Sequence, residues 1–242
     1  GWHIIGIAFG TVATILQKRS ARPFDLGVYS YLAIDDIEKA SASPFVFPKR
    51  DNGRYAEKVQ SDFSKIPGSP IAYWFKESDF KIFDNASLLG TVASVKTGMS
   101  TGDNGKFVRA WYEVSKKKLG LNFMSCQDAL ISKKKWFPYN KGGGFRRWFG
   151  LNESVINWEN DGSAIKGNLD VNGKRKASVR AEKYYFKPSI TYSAVTSGKF
   201  SARLSEHGFL FDSGGSSIFS ESRENLLVIA GLLCSVIPEY FL

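Results

Sequence analysis

KKKWFPYNKGGGFRRWFG, residues 133–150, is the stretch on which the reading of the chain turns. Lys133, Lys134, Lys135, Lys141, Arg146 and Arg147 alternate there with Trp136, Phe137, Tyr139, Phe145, Trp148 and Phe149, and no acid interrupts them. Burying an unpaired Lys or Arg is expensive, so this density is that of a surface and not of a core. Cations interleaved with flat rings and a triple glycine can grip phosphates while leaving planar faces for bases. The competing reading is a solvated basic strand pair whose aromatics pack inward. Polyanion binding is the preferred one.

Working outward, 242 residues hold one large or two small domains with a real core. A formal charge of +10 with a pI near 9.5 asks for an acidic partner, nucleic acid before anionic membrane. Cys126 and Cys234 are too few for a disulfide framework and show no metal spacing, which places the chain in a reducing, cytoplasmic setting. The apolar start, Ile4–Leu16, has no preceding basic region and is interrupted by Gly6, Gly10 and Thr11, so no signal peptide is expected. Leu226–Ile237 is too short to span a bilayer and reads as a buried helix; no membrane partner is expected. The abrupt, Met-less beginning reads as that of a fragment.

Phe9–Gln17 and Gly27–Ile34 read as strands joined by a basic turn through Lys18, Arg19, Arg22 and Pro23. Asp35–Ala42 reads as a short helix that Ser43–Asp51, with two prolines, ends. Tyr55–Phe63 alternates, Ile66–Pro70 is a stiff turn, and Glu77–Leu88 is helical on Phe80, Phe83 and Leu88. A boundary lies loosely between 62 and 90, giving units 1–62 and 63–242. From Gly90 onward short strands alternate with glycine turns. Phe107–Val114, Ser189–Ser193, Lys199–Leu204 and Phe209–Asp212 read as strands, Asn160–Ile165 as a short helix, and Ser222–Val236 as a closing helix. The fold class is α+β, mostly antiparallel short strands with a C-terminal helix.

Catalytic groupings are scarce. His3 and His207 are the only histidines, and His207 in its Glu-His-Gly turn reads as a turn residue rather than a base. No His and Cys cluster suits zinc. TGMSTGDNGK (residues 97–106) fits no phosphate-loop register and reads as a turn. A second basic group comprises Lys174, Arg175, Lys176, Arg180, Lys183, Lys187, Lys199 and Arg203, with Tyr184, Tyr185, Phe186 and Tyr192 among them. Two basic-aromatic groups in one chain indicate an extended binding surface.

Five blocks then follow one another in a recognisable order: Ser64–Trp74 (SKIPGSPIAYW), Thr101–Val114 (TGDNGKFVRAWYEV), Lys135–Gly150, Val155–Lys166 (VINWENDGSAIK) and Tyr184–Phe219. Together they resemble the adenine-specific DNA methyltransferases of bacterial BREX phage-defence systems, the PglX family. The resemblance implies a Rossmann-like domain that binds S-adenosylmethionine and carries Asn-Pro-Pro-Tyr, followed by a target-recognition region. This sequence has no Pro-Pro pair. It therefore resembles the reader and not the catalytic centre, with Phe9–Ile34 as the last strands of the methyltransferase domain and residues 63–242 as spacer and recognition region. The cofactor would belong to the full-length protein, with no cofactor site here. The partners implied are double-stranded DNA and other phage-defence proteins.

Methylating adenine N6 requires taking the base out of the stack while neighbouring bases are read. The residues expected at the DNA are Lys133, Lys134, Lys135, Asn140, Lys141, Arg146, Arg147, Arg180, Lys183, Lys199 and Arg203. The arginines suit guanine or backbone contacts, and Asn140, Asn104 and Gln127 are amides of the kind that read adenine. Two rivals stand beside this reading: a stand-alone nucleic-acid-binding module, and a structural or membrane-surface protein using its basic face on anionic lipid.

Overall fold

The computed structural model describes residues 14–20, 22–32, 36, 38, 53–195 and 199–241. The chain forms two compact units, residues 1–87 and 88–242. A 3₁₀ turn, Gln60–Lys65, lies in the first unit.

In the first unit β1 (Leu26–Ser30) pairs antiparallel with β2 (Tyr55–Val59), Leu26 opposite Val59 and Ser30 opposite Tyr55. The 3₁₀ turn follows, and then α1 (Glu77–Asn85). Aromatic rings hold these pieces together: Tyr29 stacks on Tyr73 at 5.5 Å and meets Phe63 edge-on at 5.6 Å, and Phe80 closes on Phe75 at 5.7 Å. Asp79 fastens the start of α1 by accepting from the Lys76 amide at 2.7 Å. Of the expected strand Phe9–Gln17, residues 9–13 lie outside the described residues and 14–17 are not strand. The helix at Asp35–Ala42 and its break at Ser43–Asp51 lie outside them too, Asp36 and Glu38 excepted.

The second unit runs α2 (Leu89–Val92), β3 (Ser94–Lys96), α3 (Asn104–Phe107), β4 (Val108–Ala110), α4 (Cys126–Ile131), β5 (Trp136–Asn140), β6 (Ser154–Asn157) and α5 (Glu159–Lys166). It continues through β7 (Ser189–Tyr192), β8 (Ala202–Ser205), β9 (Leu210–Phe211), β10 (Ser217–Phe219), α6 (Arg223–Leu233) and α7 (Ile237–Phe241). One sheet is antiparallel in the order β3-β10-β7-β8; the other, β4-β6-β5-β9, is mixed because β5 and β9 run parallel. Phe107 ends α3, whose cap is Asp103, so the expected Phe107–Val114 strand shrinks to β4 and a 3₁₀ turn.

Lys133–Gly150 splits into two physically different halves. In β5, Phe137, Tyr139 and Asn140 are 0–3% exposed. The expectation of a wholly superficial stretch is thus corrected for its first half, where Phe137 packs edge-on against Phe123 and Phe186 at 5.6 Å each. A change of partner explains how this mid-sheet strand tolerates Pro138. β5 pairs with β6 through Trp136, Phe137 and Pro138, then with β9 through Tyr139 and Asn140, so the missing N–H falls at the exchange of partners.

The antiparallel sheet has two unlike faces because side chains alternate along a strand. Ile190, Ala202 and Ile218 face α6, whose Leu226, Ile229 and Ala230 are buried against them at helical spacing. Each leucine or isoleucine among them, fully buried, contributes on the order of 1.5–3 kcal/mol. Only this stripe is covered: Leu227 and Val228 are exposed, which corrects the expectation of a wholly buried helix. The other face carries a polar row, Lys96 opposite Ser217, Ser217 opposite Thr191 and Thr191 opposite Arg203.

Candidate nucleic-acid interface

Lysines brought together by backbone pairing form the first element of the candidate surface. A 3₁₀ turn, Lys116–Lys118, lies alongside Lys133–Lys135: the Lys135 amide donates to the Lys118 carbonyl at 3.0 Å, and Gly120 donates to Trp136 at 2.8 Å. The Lys134 ammonium also donates to the Lys117 carbonyl at 2.7 Å. Lys116, Lys117, Lys118 and Lys133 are exposed. Of the six, only Lys135 has a carboxylate partner among the described residues, Glu159 at 3.6 Å. Lys116–Lys118 were missed in the sequence because fourteen residues separate the triplets, as reading from Lys118 to Lys133 shows. Their signal was the repeated Lys-Lys-Lys before an apolar residue, since Leu119 and Trp136 pair in parallel.

The loop from Lys141 to Gly150 is the second element, stitched along β8 by polar contacts. Ser193 accepts from the Gly143 amide at 3.2 Å, and Ser201 accepts from the Arg146 amide at 3.0 Å and donates back to its carbonyl. Trp148 donates to Ala202 at 3.0 Å and accepts from Leu204 at 2.9 Å. At the first glycine of the three, a Cβ on Gly142 would stand 2.4 Å from the Gly214 carbonyl oxygen, so glycine there lets two backbones touch. Phe145, Trp148 and Phe149 are exposed by 50%, 53% and 71%, with exposed Arg146 among them.

Two expected contact residues are corrected. Asn140 is 3% exposed and spends its amide on Ser205 at 2.8 Å. Arg203 is 1% exposed, its guanidinium donating to Ser201 at 2.9 Å and to the Lys141 carbonyl at 3.4 Å. Alternation along β5 and β8 turns both inward, so neither offers a surface contact. Arg147 is ion-paired with Glu239, which Lys199 also approaches at 3.8 Å. Arg180 is exposed and bonds Ser178, and Lys141 is half-buried.

Lys183 stands elsewhere, beside Tyr184 with Lys96 and Lys187. A cleft of about 380 Å³ adjoins it, lined in part by Met124, Cys126, Gln127, Tyr185 and Lys187. Its lining carboxylates Asp161 and Glu182 are both bound by Lys166, at 2.7 Å each. Burial, reinforced by those carboxylates, pushes the Cys126 thiol up to about 11. Asn104 accepts from Thr101 at 2.8 Å. Among the described residues no His, Cys, Asp or Glu grouping suits a metal ion, and no helix is long and apolar enough to cross a membrane.

No family model matches the chain. It is 39% identical over 247 aligned residues, 99% of its length, to the adenine-specific methyltransferase PglX of Lacticaseibacillus casei (strain Zhang). To the adenine-specific methyltransferase BrxX of Escherichia coli O9:H4 (strain HS) it is 40% identical over 181 residues, 74% of its length. The chain spans 20% of the first relative and 14% of the second. Its homologues are thus adenine-specific methyltransferases, matched along one segment of each.

Proposed function

We propose that this chain, a segment-length member of the PglX and BrxX family of adenine-specific methyltransferases, holds duplex DNA for a phage-defence enzyme of the BREX type. In this reading residues 88–242 belong to the target-recognition region, and the stretch before them includes the last strands of a Rossmann-like methyltransferase domain. S-adenosylmethionine is bound by the full-length protein, in the cytoplasm and alongside other defence proteins. The chain itself, without Asn-Pro-Pro-Tyr, supplies grip and not methyl transfer. What carries the reading is the pairing of Lys116–Lys118 with Lys133–Lys135, six lysines with a single acid on them. A polyanion relieves such a concentration of like charge, and its released counterions supply affinity.

The loop adds planar groups beside the exposed guanidinium of Arg146, suited to stacking and to paired hydrogen bonds on a base edge. Fluorescence anisotropy of a labelled duplex, titrated across salt, tests the grip. If about six phosphates are neutralised, affinity falls on the order of a thousandfold between roughly 50 and 200 mM salt. Changing Lys116, Lys117 and Lys118 together to Gln flattens the salt slope by up to about 2.7, as does the same change at Lys133–Lys135. A slope untouched by either triple change, or no duplex binding at low salt, overturns the proposal.

A further inference from the structure

Three ammonium groups gather on the ring of Tyr184. Lys96 and Lys183 stand 5.4 Å from its centroid and Lys187 5.7 Å. Lys183 and Lys187 flank the tyrosine in the chain, while Lys96 arrives from β3, so the grouping is a product of the fold. The ring is fixed: it packs on Phe219 at 4.7 Å, and the Tyr184 amide closes a turn on Ala181 at 2.9 Å. Among the described residues no carboxylate pairs with Lys96, Lys183 or Lys187, and the adjacent Glu182 is engaged by Lys166 at 2.7 Å. A cation over an exposed ring gains only about 0.5–1 kcal/mol, too little to explain three like charges crowding one phenol. The phenol registers the field: a hydrogen bond from Ser94, and then the three lysines, hold its hydroxyl below the usual tyrosine range. The cleft of about 380 Å³ beside Lys183 and Lys187 leaves room for what is attached to an anion seated here.

We infer that Lys96, Lys183 and Lys187 form a seat over Tyr184 for one phosphoryl group, a backbone phosphodiester of the bound DNA. The seat is separate from the two lysine triplets and from the loop at 141–150. It extends the DNA-holding reading, on which the choice of a phosphodiester rests. Three lysines on one phosphate release the counterions of one phosphate, not of three, and that gives the seat a signature.

The test uses the whole chain in two arms. In the first, inorganic phosphate is titrated while Tyr184 ionisation is followed by tyrosinate absorbance, the Tyr184→Phe variant serving as the blank. A saturable upward shift of Tyr184 ionisation is expected, because a bound anion cancels the lysines' share of the lowering and leaves that of the Ser94 hydrogen bond. In the second, Lys96, Lys183 and Lys187 are changed together to Gln, and duplex affinity is measured across salt. The slope should flatten by about 0.9, a factor of about 3.5 between roughly 50 and 200 mM, where three separate phosphate contacts would remove about 2.7. A Tyr184 indifferent to phosphate, an unchanged slope, or a loss near 2.7 overturns the seat while leaving the lysine triplets standing. A chain that binds no duplex while Tyr184 still responds to phosphate keeps the seat and sinks the DNA reading.

Discussion

Replacing Gly162 by Ala tests how the second unit holds its core against the charged wall of the cleft. α5 opens through three successive left-handed residues, Asn160, Asp161 and Gly162, with φ of 52°, 56° and 68°. Two costs add at Gly162. A side chain at that φ costs about 1–2 kcal/mol. The new Cβ would also stand 2.3 Å from the Trp158 ring. Trp158 is 1% exposed and lies edge-on to Tyr185 at 5.3 Å, so it has nowhere easy to go; overpacking of this kind costs about 1–3 kcal/mol. The total is about 2–5 kcal/mol, a large part of a typical domain's stability. Gly173 is the control, because its φ of 77° carries the backbone cost while nothing lies within 4 Å of its Cβ position. Hydrogen exchange of the Phe137 and Ile156 amides, opposite one another in β5 and β6, reads the free energy of opening this unit. Gly162→Ala should lower it by about 1–3 kcal/mol more than Gly173→Ala does. Equal losses in the two variants would refute the steric part of the reasoning.

Two further outcomes are expected. The folded Cys126 thiol is pushed up to about 11 against an ordinary value of about 8.5, a raised value, so its contribution to stability is complete below the unfolded value and is lost as pH climbs toward 11. Its alkylation by iodoacetamide should stay slow at pH 8 and accelerate only toward 11; half-maximal reaction near 8.5 counts against this. Glu239 engages both Arg147 and Lys199, so Glu239→Gln should release two cations, tightening duplex binding at low salt and steepening the salt slope by up to about 1.8. Unaltered or weakened binding would show that these two side chains do not face the DNA.

What the sequence disclosed followed the range of the interactions involved. α6 was legible because its cap and its stripe are local: Ser222 accepts from the Asn225 amide at 3.2 Å, and Leu226, Ile229 and Ala230 recur at helical spacing. β7 and β9 were legible as short apolar or β-branched runs between turns. The inward turn of Asn140 and Arg203 was not, because their partners are remote: Ser205 for the first, the Lys141 carbonyl for the second. The same holds for Lys116–Lys118 and Lys96, which become part of candidate sites only through the backbone bond of Lys118 to Lys135 and through placement beside Tyr184. Composition announced a basic surface; non-local backbone pairing decided which cations share it.

Arg203 links that surface to the interior. A guanidinium 1% exposed, with no carboxylate paired to it among the described residues, is costly, and burial draws its proton affinity below the ordinary arginine value. Among the described residues its Nε has no hydrogen-bond partner. The contacts it keeps are selective: the Lys141 carbonyl at the start of the 141–150 loop, and Ser201, which clasps Arg146 through both amide and carbonyl. One cation therefore pins the loop at its entry and, through a serine, at its middle, while Trp148 is paired to β8 by its own backbone. The exposed rings of Phe145, Trp148 and Phe149 need no burial to hold the loop that carries them, because its backbone is fastened from beneath by polar bonds. Apolar anchoring would have consumed those rings; polar anchoring leaves them, with Arg146, free to meet a partner.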